Sequence, residues 1–517
     1  MSKFHSTLTR RDFMKGLGLA GAGLGAAAAT TPVFHDMDEL TSSGTKARYP
    51  WWVKERDYFD TVCRIDWDML ERGSSEVMQS IFDENGNNIG TLAGAYYGEN
   101  QKVGVSAGDP PLAGTTVSVG QDKLMEYDAM YVDYARSKYS DYEYPLLKDQ
   151  ALAAAVNMRT YKYQHPLWGG TECFLGTRFS PTPQDLGVPK WEATPEENLK
   201  MIRAAFRYFG ASEVSVTELT EQTKKLIFLD QRSQKPNHQY HKILAAKAGF
   251  PKGLPFQKLV FEDIDDAYVT SDQTKCAIPN KCKWVINYSV QQAPQTTKRF
   301  NPLQNAGTDM GYQEAAIIEN RIQEFLWSLG YQGLEGGTAA ISPSGAFSTL
   351  GGNGEPCRMG MCQLSPLHGN MMRAQNTMIT DLPLEVTKPI DFGAMRFCRT
   401  CKLCAQNCVY EALSLETEPT WDVTGYWNNP GYEGYRINAF KCVRCGSCMA
   451  ACPFGSFSVS HASVHPLVQL VSSETPIFNS FFRGMADVFG FDKIQKTETW
   501  WDSEQPIRGI DTSIGIH

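Results

Sequence analysis

The chain has 517 residues, 42% hydrophobic and 21% charged, enough for two or three domains with sizeable cores. Its net charge of −8 provides no basic footprint for nucleic acid and no polybasic patch for an anionic lipid surface.

The chain opens on Thr9-Arg10-Arg11-Asp12-Phe13-Met14-Lys15, followed by a weakly apolar Gly/Ala-rich stretch from Gly16 to Ala29 that closes on small residues. This reads as a twin-arginine export signal over residues 1–30. The apolar stretch is too short for a transmembrane helix, which needs about 20 residues. The translocase that reads such signals carries folded chains, so fragile cofactors can be assembled before transport.

Residues 31–190 are rich in Pro, Gly, Tyr and Asp, with breakers such as Asp109-Pro110-Pro111, and read as a region wrapped around a core. At Thr194-Pro195-Glu196-Glu197 a capping hydroxyl, an early proline and first-turn acids predict a helix start. Leu199, Ile202, Phe206 and Phe209 share its apolar face, and Gly210 ends it. Alternation through Val214, Val216 and Leu219 predicts a strand. A second helix is expected from Tyr312, with Ala315, Ile318, Ile322, Phe325 and Leu329 as its stripe and Gly330 as its cap. Helix feeding strand points to a layered α/β domain.

Residues 336–362 hold many glycines, among them Gly351, Gly352 and Gly354. Glycine lets backbone approach a large flat cofactor closely, and a plain loop accounts for the same composition equally well. No P-loop is present, and no GxGxxG fingerprint outside the Gly-rich stretch of the export signal.

The strongest chemical signal follows. Cys398-x2-Cys401-x2-Cys404-x3-Cys408 and Cys442-x2-Cys445-x2-Cys448-x3-Cys452-Pro453 repeat the bacterial ferredoxin run. In such pairs three cysteines of each run hold one [4Fe–4S] cluster, and the fourth reaches across to the other. Cys398, Cys401, Cys404 and Cys452 are therefore assigned to one cluster, and Cys442, Cys445, Cys448 and Cys408 to its partner. Zinc, which uses two CxxC pairs per site, fits evenly spaced cysteines poorly. Cys63, Cys173, Cys276, Cys282, Cys357 and Cys362 remain; buried thiols suit a chain folded in a reducing cytoplasm better than disulfides do.

Taken together, Arg10-Arg11-Asp12-Phe13-Met14-Lys15, Thr380-Asp381-Leu382-Pro383-Leu384, Pro389-Ile390-Asp391-Phe392-Gly393, Phe397-Cys398 and both cysteine runs resemble the respiratory reductive dehalogenases. Trp51-Trp52 and Pro189-Lys190-Trp191-Glu192 resemble the chloroethene-reductase branch of that family. The resemblance implies an α/β (α+β) nitroreductase-like corrinoid-binding core over 191–390, a two-cluster ferredoxin-like domain over 391–465 and a C-terminal extension over 466–517. It implies a cobamide as well as the two clusters, with Gly351, Gly352 and Gly354 as cofactor contacts. No D-x-H-x-x-G motif is present, because Pro366 stands where the aspartate before His368 would be; a base-off cobamide without a histidine ligand follows. The family's proton donor corresponds to Tyr312 and its basic neighbour to Arg373, with Tyr331 as a second candidate donor. A supporting Asn found in some members has no counterpart, since Gly336-Gly337-Thr338 stands there.

The implied activity is removal of halide from a chlorinated ethene, alkane or aromatic in anaerobic respiration, on the outer face of the cytoplasmic membrane. The implied partners are the organohalide, a small integral-membrane anchor subunit, a membrane electron donor and, during export, the twin-arginine translocase. No nucleic acid is expected. Two alternatives are a cytoplasmic epoxyqueuosine-reductase-like enzyme and an exported, non-catalytic ferredoxin-type electron-transfer subunit.

Overall fold

The computed structural model describes most of residues 49–91 and 174–510, interrupted by short stretches and by the longer 233–255. The export signal, Trp51, Cys173, Gly336 and Thr338 lie outside the described residues. Residues from Tyr49 onward form one compact unit.

Helix α1 (Pro195–Phe209) starts as its sequence dictates. Thr194 accepts from the Glu197 amide, and the Glu197 carboxylate accepts in return from the Thr194 amide at 3.0 Å, a reciprocal capping box. Gly210 terminates it at φ 112°, a conformation that costs a residue with a Cβ. The chain then enters strand β1 (Glu213–Glu218), the edge of a four-stranded antiparallel sheet. Its neighbours in space are β2 (Trp284–Gln291), β4 (Met372–Thr380) and the short β3 (Gly333–Leu334), in the order β3-β4-β2-β1.

Helix α2 (Leu303–Ser328) lies with α1 on one face of this sheet. Leu199, Ile202 and Phe206 from α1 meet Val214, Val216, Ile286, Tyr288 and Val290 from the strands and Ala315, Ile318, Ile322 and Leu326 from α2. Full burial of each large side chain contributes about 1.5–3 kcal/mol. Ile322, with no exposed surface, is a position where truncation to Ala costs about 2–5 kcal/mol.

Helix α2 begins at Leu303, well before the expected start at Tyr312. Gly307 and Gly311 weigh against helix in the earlier turns, because glycine disfavours helix by about 1 kcal/mol. Close packing explains them: a Cβ at Gly307 would stand 2.1 Å from Thr296 Oγ1, and one at Gly311 would stand 2.9 Å from Arg373 Cβ. Tyr312 is therefore in the body of the helix. Its far end follows expectation, with Gly330 at φ 86° donating to the Trp327 carbonyl.

A small hairpin (Glu355–Pro356 with Gln363–Leu364) leads back to β4, and past it helix α3 (Ala394–Cys401) carries the first two cysteines of the first run. No helix among the described residues is long and apolar enough to cross a membrane.

Candidate functional site

The two cysteine runs share a backbone device. After Cys401 the chain turns through Lys402 at φ 56°, and after Cys445 it turns through Gly446 at φ 77°. In the first run this left-handed residue separates the helix that ends at Cys401 from a short one at Leu403–Gln406, and in the second it caps the short helix Ser447–Ala451 that carries the third cysteine. The strain at Lys402, which has a Cβ, is about 1–3 kcal/mol held in place by the surrounding fold.

Cys398, Cys401, Cys404 and Cys452 line one cavity with Arg358, Phe397, Lys402, Pro453 and Phe454. The crossover of the fourth cysteine has a packing cause. Pro453 redirects the chain and Phe454 sets its edge against Phe397, ring centroids 5.4 Å apart, with Phe392 at 6.5 Å. Burial pushes the Cys401 thiol up to about 12, and Cys398, Cys404 and Cys452 upward too, with like charge from neighbouring cysteines adding to it at Cys401, Cys404 and Cys452. Four such thiolates are unfavourable unless a cationic metal core sits among them. No three such side chains converge on a single-ion site among the described residues; they surround a space, as cluster ligands do. In the second set, Cys408 acts on Cys445, while Cys445 and Cys442 act on Cys448, each behind burial as the main cause of an upward shift.

Tyr312 and Arg373 come from different elements and meet. The Arg373 guanidinium carbon stands 5.7 Å from the centre of the Tyr312 ring, and both residues are half-buried. Two features bring them together. Gly311 leaves room for the Arg373 stem against α2. A bulge between Arg373 and Asn376, with Gln375 at φ 44°, shifts the register of β4 against β2 and re-aims Arg373.

Arg373 is fixed by groups that sequence reasoning did not single out. Its Nε donates to the Gln292 side-chain oxygen, and Nη2 reaches Thr308 Oγ1 at 3.3 Å and Met449 Sδ at 2.9 Å. Gln292 and Thr308 are ordinary polar residues in the sequence; only the fold shows that they share a partner. Met449 follows Cys448, so the second cysteine set abuts Arg373, and Arg373 acts electrostatically on Cys362. Neutral amides and hydroxyls, Gln292, Gln304, Thr308 and Asn370, gather here, and the buried Lys298 donates to the Ala450 carbonyl one residue past Met449. The carbonyl oxygens of Gln304 and Asn370 are buried without a hydrogen-bond partner among the described residues. Such a set suits a large ring fringed with carboxamides.

Tyr331 is placed elsewhere. It is 6% exposed, donates to the Trp191 carbonyl at 2.7 Å, and has Lys190 Nζ over its ring at 3.6 Å. It packs the end of α2 against the chain leading into α1. Gly351, Gly352 and Gly354 are buried, and the close approach they permit is to the chain itself: a Cβ would meet Ser215 Oγ at 2.4 Å, the Lys388 carbonyl at 2.0 Å and the Leu364 carbonyl at 2.5 Å. Cys63, Cys276, Cys282, Cys357 and Cys362 form no disulfide among the described residues, and all are buried except the half-buried Cys362.

A family model described as a reductive dehalogenase subunit matches residues 122–384, and one described as a 4Fe-4S dicluster domain matches 397–456. The chain is 35% identical to the chloroethene reductive dehalogenase of Dehalococcoides mccartyi strain VS, over 99% of each chain. It is 33% identical to the trichloroethene reductive dehalogenase of D. mccartyi strain 195, again over 99% of each. Among solved structures, the catabolic reductive dehalogenase NpRdhA superposes with a TM-score of 0.53 at 16% identity, covering 86% of this chain and 49% of that one. The present chain thus spans about half the length of that solved chain, and the likeness is one of mixed α/β fold.

Proposed function

The chain belongs to the reductive dehalogenases, and on that premise we propose that it removes halide from a chlorinated ethene, with Tyr312 as proton donor and Arg373 as its electrostatic support. The observation that carries this reading is the meeting of Tyr312 and Arg373 beside Met449, in the chain segment that presents Cys448. The two relatives that match end to end are named for chloroethene and trichloroethene, which makes chlorinated ethenes the first substrates to test.

The overall change breaks one carbon–halogen bond, forms one carbon–hydrogen bond, consumes two electrons and one proton, and releases halide. A corrinoid, when bound on a nitroreductase-like core, would supply low-potential cobalt for this, and two [4Fe–4S] clusters would supply the electrons. Cys398, Cys401, Cys404 and Cys452 would hold one cluster; Cys442, Cys445, Cys448 and Cys408 would hold the other, which the contact of Arg373 with Met449, next to Cys448, favours as the inner one. The neutral amides and hydroxyls around Arg373 suit the corrinoid's carboxamide fringe, and Gly351, Gly352 and Gly354 belong to the proposed binding region. The absence of a D-x-H-x-x-G motif supports a base-off state.

Tyr312 holds the proton at its hydroxyl oxygen. Arg373 offers a fixed cation to the anionic oxygen left when that proton goes, which favours transfer in the transition state. Gln292 and Thr308 restrain the guanidinium, so little reorganisation is needed when charge develops.

The same reading includes twin-arginine export, residence on the outer face of the cytoplasmic membrane, a small membrane-anchor subunit and a membrane electron donor; Arg10-Arg11 is the sequence support for export. A reductive dehalogenase body ahead of the clusters leaves the electron-transfer-only reading without support.

The test is metal content and turnover of anaerobically purified protein made with cobamide present. About one cobalt and about eight iron per chain, with chloride released from trichloroethene, is the expected result. Eight iron without cobalt and without chloride would overturn it.

A further inference from the structure

Arg358 is the largest fully buried side chain among the described residues, with 1% of its surface exposed. It lines the cavity of Cys398, Cys401, Cys404 and Cys452. Its five hydrogen bonds all go to backbone carbonyls: Cys398 at 3.0 and 2.8 Å, Ser414 at 2.7 Å, Glu416 at 2.6 Å and Arg399 at 3.4 Å. The guanidinium carbon also lies 4.0 Å from the centre of the Tyr435 ring. No carboxylate among the described residues pairs with it.

A buried guanidinium is costly unless something offsets its charge. Carbonyl dipoles and a ring face solvate it without neutralising it. The missing counter-charge is the metal cluster itself, whose core and four thiolates carry net negative charge that grows by one unit on reduction. We propose that Arg358 sets the reduction potential of the cluster held by Cys398, Cys401, Cys404 and Cys452, its buried positive charge favouring the reduced state. Burial keeps salt from screening that interaction, and net charge near a cluster is one of the levers on its potential. Arg358 also ties the Cys398 carbonyl to the 414–416 segment, so it holds the ligand-bearing helix in place. The inference rests on the cluster ligand set alone and is independent of the chemistry at Tyr312.

The experiment is a redox titration followed by electron paramagnetic resonance on the holoprotein, comparing wild type with Arg358→Gln and Arg358→Lys. In Arg358→Gln one of the two cluster transitions is expected to move to lower potential. The shift should be at least tenfold in the reduced-to-oxidised ratio at fixed solution potential, which is 59 mV for one electron. The other transition should stay. Arg358→Lys, which keeps the charge and loses the planar fork, should remain within tenfold of wild type. Unchanged transitions in Arg358→Gln, equal shifts of both transitions, or a shift in Arg358→Lys as large as in Arg358→Gln would each overturn the proposal. If Arg358→Gln does not retain its iron, Arg358→Met, which also removes the charge, takes its place: a tenfold or larger fall of one transition upholds the proposal, and unchanged transitions overturn it.

Discussion

Arg373, on a bulged strand, and Tyr312, in the middle of a long helix, face each other at 5.7 Å from guanidinium carbon to ring centre. The pairing puts a fixed cation beside a phenol in a half-buried setting, where their interaction is stronger than in water.

If Tyr312 supplies the proton, Tyr312→Phe removes the donor hydroxyl while the ring stays against the core formed by the sheet and two helices. Dehalogenation should fall by about 10²–10⁴-fold while cobalt and iron content stay at wild-type levels. Chloride release and metal analysis on the same preparation check this. Turnover that survives with both metals bound removes Tyr312 from the mechanism.

Gly311→Ala tests the close approach of α2 to β4. An alanine should gain roughly 1 kcal/mol of helix propensity, but its Cβ would lie 2.9 Å from Arg373 Cβ and 3.0 Å from Cγ. Arg373 Cβ is fixed to the strand backbone, so α2 and β4 must shift apart here and carry the arginine with them. The expected result is a lowered melting temperature together with a clear loss of kcat, measured by anaerobic melting and chloride release. A variant that keeps full activity would show that the position of Arg373 is unimportant.

The sequence carried the chemistry further than the geometry. Spacing alone pointed to eight cluster ligands, four of which the fold gathers round one cavity, and the capping hydroxyl, proline and acids from Thr194 to Glu197 predicted a helix start, because both signals are local. Resemblance pointed to Tyr312 and Arg373, which the fold brings together. The early turns of α2 were misread because Gly307 and Gly311 weigh against helix locally, while their value lies in contacts with Thr296 and Arg373 far along the chain. Gln292, Thr308 and Arg358 were missed for the same reason. Nothing in a neutral or basic side chain marks it until its partners are known.

Glu355 makes stability depend on pH. It is 1% exposed and accepts from the amides of Phe392 and Met395 at the start of the cysteine-bearing helix α3. Burial, with Asp391 adding repulsion, raises its pKa from 4.5 to about 7. Because the folded state holds the proton more tightly than the unfolded one, this group's contribution is fully present below pH 4.5 and is lost as pH rises through 7. Melting temperature of the holoprotein should therefore carry a downward component across that window. Glu355→Gln, which does not titrate, should remove that component even if it lowers the melting temperature throughout. An identical pH slope in the two proteins would exclude Glu355 as its source.

The crossover of Cys452 can be tested by which cluster its loss damages. Cys452 belongs by sequence to the second run, but it lies in the cavity of Cys398, Cys401 and Cys404, delivered there by Pro453 and by Phe454 packed on Phe397. Removing a ligand should release or convert the cluster it binds and spare the other. Cys452→Ala should therefore leave the same residual paramagnetic spectrum as Cys401→Ala, and Cys408→Ala the same as Cys445→Ala. Each variant should retain roughly half the iron if the damaged cluster is lost completely. A Cys452→Ala spectrum matching Cys445→Ala would mean that each run closes on itself. The packing of Phe454 against Phe397 would then be unrelated to ligation, and the inner and outer clusters would have to be reassigned.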